Sequence, residues 1–216
     1  VTAGGSRGRE EVDRRVIQLF AEVGEAVAGA TLALLTGDRE AAKAIVQRDH
    51  EIDRRELELE QLAWEMLERG GAGPAETRYI VSMLRILPEI ERTGDLAEHV
   101  ASRASRGLGI EMSAKSRGIV ERMGELACSL WGMAADAYGD RSVEAFDRID
   151  QLDDQMDELS VILTAELVSS QMTLPVAIEV AMIGRFYERI GDHSVNLARQ
   201  VREWIRSTSA GGGPSR

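Results

Sequence analysis

A short phrase occurs twice in this chain of 216 residues, first as Glu91-Arg92-Thr93-Gly94-Asp95 and again as Glu188-Arg189-Ile190-Gly191-Asp192. Gly37-Asp38-Arg39 likewise recurs as Gly139-Asp140-Arg141, and Asp49-His50-Glu51-Ile52-Asp53 recurs as Asp153-Asp154-Gln155-Met156-Asp157. The copies are separated by 97, 102 and 104 residues and keep the same order, so the halves align with only small loop differences. The chain is a tandem duplication. Whatever the first half folds into, the second half must repeat.

The repeated unit reads as helix. Prolines are few, aromatic residues make up 4% of the chain, and no segment sustains the two-residue alternation of a strand. Val12, Val16, Leu19, Val23 and Val27 recur at helical spacing, which predicts a first helix from about Arg9 to Leu35. Thr36-Gly37-Asp38 then supplies a stop and a new N-cap for a second helix over 39–68. Gly70-Gly71-Ala72-Gly73-Pro74 is a break, followed by a third helix with Met83, Ile86, Ile90, Ala97 and Val100 on one stripe. The second half repeats the plan with helices over 111–138, 141–170 and 175–206, and Pro175 suits a first helical turn. Six long helices joined by short loops give an all-α fold, a tandem duplication of an antiparallel three-helix bundle. The first bundle is expected over 9–106 and the second over 107–206, with residues 1–8 and 207–216 as disordered tails.

Each phrase contains a glycine that would normally end a helix, and Asp95 would then become an N-cap completed by Glu98. The apolar stripes argue instead for unbroken helices. They stay in phase from Ile86 and Ile90 to Ala97 and Val100, and from Ile183, Tyr187 and Ile190 to Leu197 and Val201. A mid-helix glycine costs about 1 kcal/mol relative to alanine. Close approach of another backbone or of a bound group would offset it.

Residues four apart share a helix face. Asp49 and Asp53 therefore form a pair, as do Glu91 and Asp95, Asp153 and Asp157, and Glu188 and Asp192. One such pair would be read as a solvated face, but antiparallel neighbours in each half would bring four carboxylates to one level. Crowded like charges demand a counter-charge, and a cation would provide it. Carboxylate oxygen suits Mg²⁺, Ca²⁺, Mn²⁺ and iron and is accepted by Zn²⁺. His99 and Asn196 lie four residues beyond Asp95 and Asp192 and are weaker candidate donors, whereas His50 and His193 sit off the stripes. Arg92 and Arg189 would compete with metal if they paired with the carboxylates.

Composition excludes several classes. A formal charge of −11 is repelled by phosphate backbones and anionic lipid, which argues against nucleic-acid binding. Cys128 is the sole cysteine, so an intrachain disulfide is impossible and a cytoplasmic location is expected. No apolar run approaches the roughly 20 residues of a membrane span, so a membrane would be reached only through partners. Nothing supplies a nucleophile beside a base or a phosphate-cradling glycine loop, and the chain is not expected to be an enzyme.

The doubled Glu-Arg-x-Gly-Asp phrase, the Asp-x-x-x-Asp motifs upstream and the duplicated three-helix plan together resemble the PhoU family of phosphate-signalling regulators, over essentially Arg9 to Arg206. The resemblance implies multinuclear iron or zinc clusters held by Asp49, Asp53, Glu91 and Asp95 in one half and by Asp153, Asp157, Glu188 and Asp192 in the other. It also implies a homodimer that acts as an accessory repressor. The implied partners are the ATP-binding subunit of a phosphate ABC transporter and a sensor histidine kinase held inhibited when phosphate is plentiful. Departures from an ideal repeat point to unequal sites: Ser160 aligns with Glu56, Asn196 aligns with His99, and Asp150 offers a rival spacing with Asp154. The competing classes are a carboxylate-bridged di-metal oxidase in a helical bundle and a purely structural helical protein. The oxidase typically draws on Glu-x-x-His pairs, and no Glu stands three residues before His50, His99 or His193.

Overall fold

The structure, a computed structural model, describes residues 3–69 and 73–210. It comprises seven helices, with no strand among the described residues: α1 (Ala3–Thr36), α2 (Arg39–Glu68), α3 (Pro74–Ser105), α4 (Leu108–Glu111), α5 (Ala114–Asp140), α6 (Ala145–Ser169) and α7 (Leu174–Ala210). The six long helices expected from periodicity are present, and the single-turn α4 is added at the join between the repeats.

Local chemistry sets the boundaries. Gly37 takes a left-handed conformation (φ 74°), and the Asp38 carboxylate accepts from the amides of Glu40 and Ala41 at 3.1 and 3.0 Å to start α2. Pro74 opens α3, where its missing N–H is no loss. Ser113 caps α5 by accepting from the Ser116 amide at 3.0 Å. The break in the second repeat differs from expectation. Helix α5 runs through Gly139 to Asp140, and α6 starts at Ala145 rather than Arg141. Arg141 itself takes the left-handed conformation (φ 52°), with its guanidinium bonded to Asp13 at 2.7 Å and 4.3 Å from the Trp204 ring centre. Those contacts offset the roughly 1–2 kcal/mol that a side chain costs there.

Helix α1 starts within the segment expected as an N-terminal tail, and α7 continues to Ala210. Extending a formed helix gains a hydrogen bond per residue without a new nucleation cost. Residues 1–2 and 211–216 of the expected tails, and Gly70-Gly71-Ala72 of the expected break, lie outside the described residues.

Within each repeat the three long helices pack on one another, α1 with α2 and α3, and α5 with α6 and α7. Equivalent helices of the two repeats also meet, α1 on α5 and α3 on α7, so one apolar core runs through both. Trp131 of α5 donates its indole N–H to the Phe20 carbonyl of α1 at 2.9 Å, and the hydroxyls of Thr31 and Tyr187 lie 2.8 Å apart. Asp13 of α1 accepts from Tyr79 of α3 at 2.9 Å and from Tyr138 of α5 at 2.6 Å. Each fully buried Val, Leu or Ile in such a core contributes about 1.5–3 kcal/mol.

One helix, over Gly8–Thr36, is long and apolar enough to cross a membrane, contrary to the expectation that no such segment exists. Charges placed between the apolar positions hid it from a search for continuous runs. Val12, Val16, Leu19, Phe20, Val23 and Val27 of this stretch all face the core.

Candidate metal centre

Helices α2 and α3 run antiparallel and share a face. Asp49 and Asp53, one turn apart on α2, converge with Asp95 of α3 so that one carboxylate oxygen from each lies within 4.8 Å of the others. Gly94 sits at the contact. A Cβ there would come 3.3 Å from Ile52 Cγ2 and 3.7 Å from Asp49 Oδ1, so the bare glycine lets the acidic edge of α2 settle onto α3. Helix α3 continues unbroken through this glycine, as α7 does through Gly191.

The electrostatics of the trio are unfavourable as they stand. Burial, reinforced by Asp53, Asp95 and Glu98, pushes the Asp49 carboxyl up to about 6, and His50 only partly opposes this. Burial and Asp53 likewise raise Asp95, against the pull of His99. The nearby arginines turn elsewhere: Arg54 pairs with Glu58 at 2.8 Å, Arg55 with Glu22, and Arg92 with Glu89 at 3.6 Å. Asp53 Oδ1 is buried and accepts no hydrogen bond. A buried carboxylate oxygen without a donor is costly. On the Asp49 side a cleft opens, lined also by Glu22, Glu25, Glu51 and Glu98, with Arg48 as the lone cation of its lining. Three hard oxygen donors, an orphaned oxygen and excess negative charge fit a divalent or trivalent cation.

Glu91 stands just outside the trio. Burial, Asp95 and Asp53 raise its carboxyl, while Arg92 and His193 oppose. His99 does not converge: its Nδ1 lies 2.6 Å from the Asp95 carbonyl, and its ring meets Phe186 edge-on at 5.3 Å.

The second repeat is looser. Asp153 nestles against Gly191, where a Cβ would overlap its Oδ1, and this fixes the register of α6 on the Asp153/Asp157 spacing. Burial, then Asp192 and Asp157, push Asp153 up to about 6. Asp157 and Asp192 are exposed, Glu188 pairs with Arg185, and the Asn196 side-chain oxygen accepts from Arg199 at 3.0 Å. Among the described residues only the first repeat brings three ligand oxygens together.

Two acidic groups escape a reading based on paired motifs. Glu56 is 7% exposed, and burial together with Glu60, Glu91 and Asp53 raises its carboxyl to about 7. Its signal was available, because Glu56 is in phase with the buried stripe of Ile52, Leu59 and Ala63. Glu89 of α3 is bonded to His193 of α7 at 2.6 Å, a pairing that only the contact between repeats creates.

A family model described as PhoU domain matches residues 16–104 and again 120–201. The phosphate-specific transport system accessory protein PhoU homolog 1 of Mycobacterium leprae (strain TN) is 31% identical over 194 residues, spanning 88% of this chain and 87% of that protein. Homolog 1 of Mycobacterium tuberculosis (strain ATCC 25618 / H37Rv) is 32% identical over 197 residues, covering 88% of each. The crystal structure of PhoU from Pseudomonas aeruginosa superposes with a TM-score of 0.87 at 26% identity, over 93% of this chain and 98% of that one.

Proposed function

The chain belongs to the PhoU family of phosphate-transport accessory and regulatory proteins, and from that premise we propose that it is a non-enzymatic, cytoplasmic negative regulator of phosphate uptake. In this reading it acts as a homodimeric adaptor between the ATP-binding subunit of a phosphate ABC transporter and a sensor histidine kinase. The transporter's state reaches the kinase through helical faces, and neither nucleic acid nor lipid is contacted directly.

The observation that carries the metal part of this reading is the convergence of Asp49, Asp53 and Asp95, one of which, Asp53, has a buried oxygen with no donor. Iron or zinc held there would supply positive charge where four carboxylates, Glu91 included, repel one another. The chain's own part is structural. Gly94 admits the acidic edge of α2, and Ile52, buried between the two aspartates, pins α2 to α3. A bound ion would thus tie α2 to α3 and fix the outer face of the repeat. In the second repeat Asp153, Asp157, Glu188 and Asp192 form a more open site of lower affinity.

Deletion of the gene tests the regulatory reading. Phosphate-responsive transcription and phosphate uptake are expected to rise in phosphate-rich cells, and unchanged levels in both rich and starved cells would overturn it. Elemental analysis of the purified chain tests the metal separately, with iron or zinc expected and loss expected on replacing Asp53.

A further inference from the structure

Exposed apolar residues of α2 and α6 recur in the register of the duplication. Leu57 and Trp64 on α2 are 60% and 50% exposed, and their counterparts 104 positions later, Val161 and Val168 on α6, are 70% and 86% exposed. The following helices show the same at their offset of 97, with Val81 of α3 at 38% and Ile178 of α7 at 54%. Residues seven apart drift only about 20° around a helix, so each α2 or α6 pair forms one stripe. The recurrence does not extend to the whole chain. Exposed Ile17 and Leu32 of α1 correspond, at the offset of 102, to Ile119 and Ala134 of α5, which are buried.

Single exposed apolar residues need no explanation, but the same apolar positions left in water in both repeats mark a surface built to be covered. Charge selects what covers it. Carboxylates outnumber Lys and Arg by 14 to 9 across α2 and α3 and by 11 to 6 across α6 and α7, the five Arg of α7 included, and the chain carries −11 overall. A second copy would set like charge against like, and anionic lipid would be repelled. A cationic helix with apolar residues on one face complements both the stripe and its acidic surround.

We infer that the α2–α3 and α6–α7 faces are two corresponding but unequal docking surfaces, each for a basic amphipathic helix of a partner protein, so that one chain engages two such helices as a two-fold symmetric partner would supply them. The inference rests on the regulatory reading for the need of a protein partner, and it names that partner's chemistry. The second surface is the larger. Ile162, Leu174 and Met182 are exposed there, where the first repeat has Glu58, Thr77 and Arg85, so the α6–α7 surface binds more tightly.

The test titrates the full chain with a synthetic lysine/leucine peptide in amphipathic helical register, and with a scrambled peptide of the same composition. Calorimetry is expected to count two amphipathic peptides per chain, with the scrambled peptide about tenfold weaker or worse. Trp64 is the exposed member of three tryptophans, Trp131 and Trp204 being buried, so its fluorescence shifts to shorter wavelength as the first surface fills. Leu57→Ser with Trp64→Ser leaves one peptide bound, and Val161→Ser with Val168→Ser leaves one bound and removes the tighter site. These substitutions lie on the surface, and circular dichroism checks that helicity is kept. Equal binding of the scrambled peptide, no binding, or a stoichiometry untouched by either pair overturns the inference. So does sedimentation showing self-association that either pair abolishes, since a second copy would then own the face. None of these outcomes bears on transcription in the deletion strain, so the two readings fail separately.

Discussion

Asp153 of α6 lies against Gly191 of α7 so closely that a methyl group on the glycine would overlap its Oδ1. The corresponding contact in the first repeat is looser, with Ile52 Cγ2 at 3.3 Å and Asp49 Oδ1 at 3.7 Å from a Cβ at Gly94. The glycine at 191 therefore admits an aspartate from the neighbouring helix, whereas the one at 94 chiefly admits Ile52 and leaves Asp49 in ordinary contact.

Alanine at the two positions should separate stability from cation binding. Each substitution gains about 1 kcal/mol of helix propensity. At Gly94 the neighbours need move only slightly, so a small net gain in stability and unchanged cation binding are expected. At Gly191 the Asp153 carboxylate must swing away from Asp192, so stability stays within about 1 kcal/mol while second-repeat affinity falls. Urea unfolding and metal titration of both variants measure the two effects.

In chelator-treated protein, Asp53→Asn should raise the melting temperature, because it removes one charge from a repelling cluster and gives its neighbours a donor. The same change should abolish any rise in melting temperature produced by iron or zinc. Calorimetric scans with and without metal, on wild type and variant, check both signs. A variant that melts lower than wild type in chelator would mean that Asp53 has a favourable partner in the fold.

The helices, the duplication and the continuity across Gly94 and Gly191 were legible because apolar spacing and turn chemistry are local. Asp38 as a cap and Pro175 in a first turn follow from the same local rules. The meeting of Asp49, Asp53 and Asp95 could be anticipated, since antiparallel neighbours joined by a short loop share a level. The pairing of α1 with α5 and of α3 with α7 could not, because an apolar stripe does not name the helix that covers it. Glu89 and His193, Trp131 and Phe20, and the left-handed Arg141 all depend on that pairing. The inequality of the two sites was only hinted at by Ser160 and Asn196. Its physical basis, exposure of Asp157 and Asp192, is a matter of tertiary placement.

The same crowding predicts how stability follows pH in metal-free protein. Asp49 and Asp153 are raised from 3.8 to about 6, and Glu56 from 4.5 to about 7. Acids with raised folded-state values hold their protons longer in the folded chain than in the unfolded one. Their favourable contribution is complete below about pH 4 and is lost as pH climbs through 6 to 7. Thermal melts in chelator should therefore show higher stability at pH 5 than at pH 8, and Glu56→Gln should flatten the upper part of that slope. Saturating metal should reverse the trend, since it binds the deprotonated carboxylates.

The bond between Glu89 Oε2 and His193 Nδ1, 2.6 Å long, crosses from α3 to α7 in a largely buried setting. Burial alone would raise the Glu89 carboxyl, yet the histidine bond and charge, with help from Arg92, leave it lowered. A lowered carboxyl contributes stability above its unfolded value of 4.5, and that contribution is lost as pH falls. His193→Ala removes one donor to this carboxylate, which keeps Asn196 and the Arg92 charge, at a cost of about 1–3 kcal/mol. Glu89→Gln keeps an acceptor for the ring nitrogen and should cost less than half as much. Urea unfolding at pH 7 orders the two variants. If the contact does hold the repeats together, His193→Ala should also lower the cooperativity of unfolding, read as a smaller dependence on denaturant than in wild type.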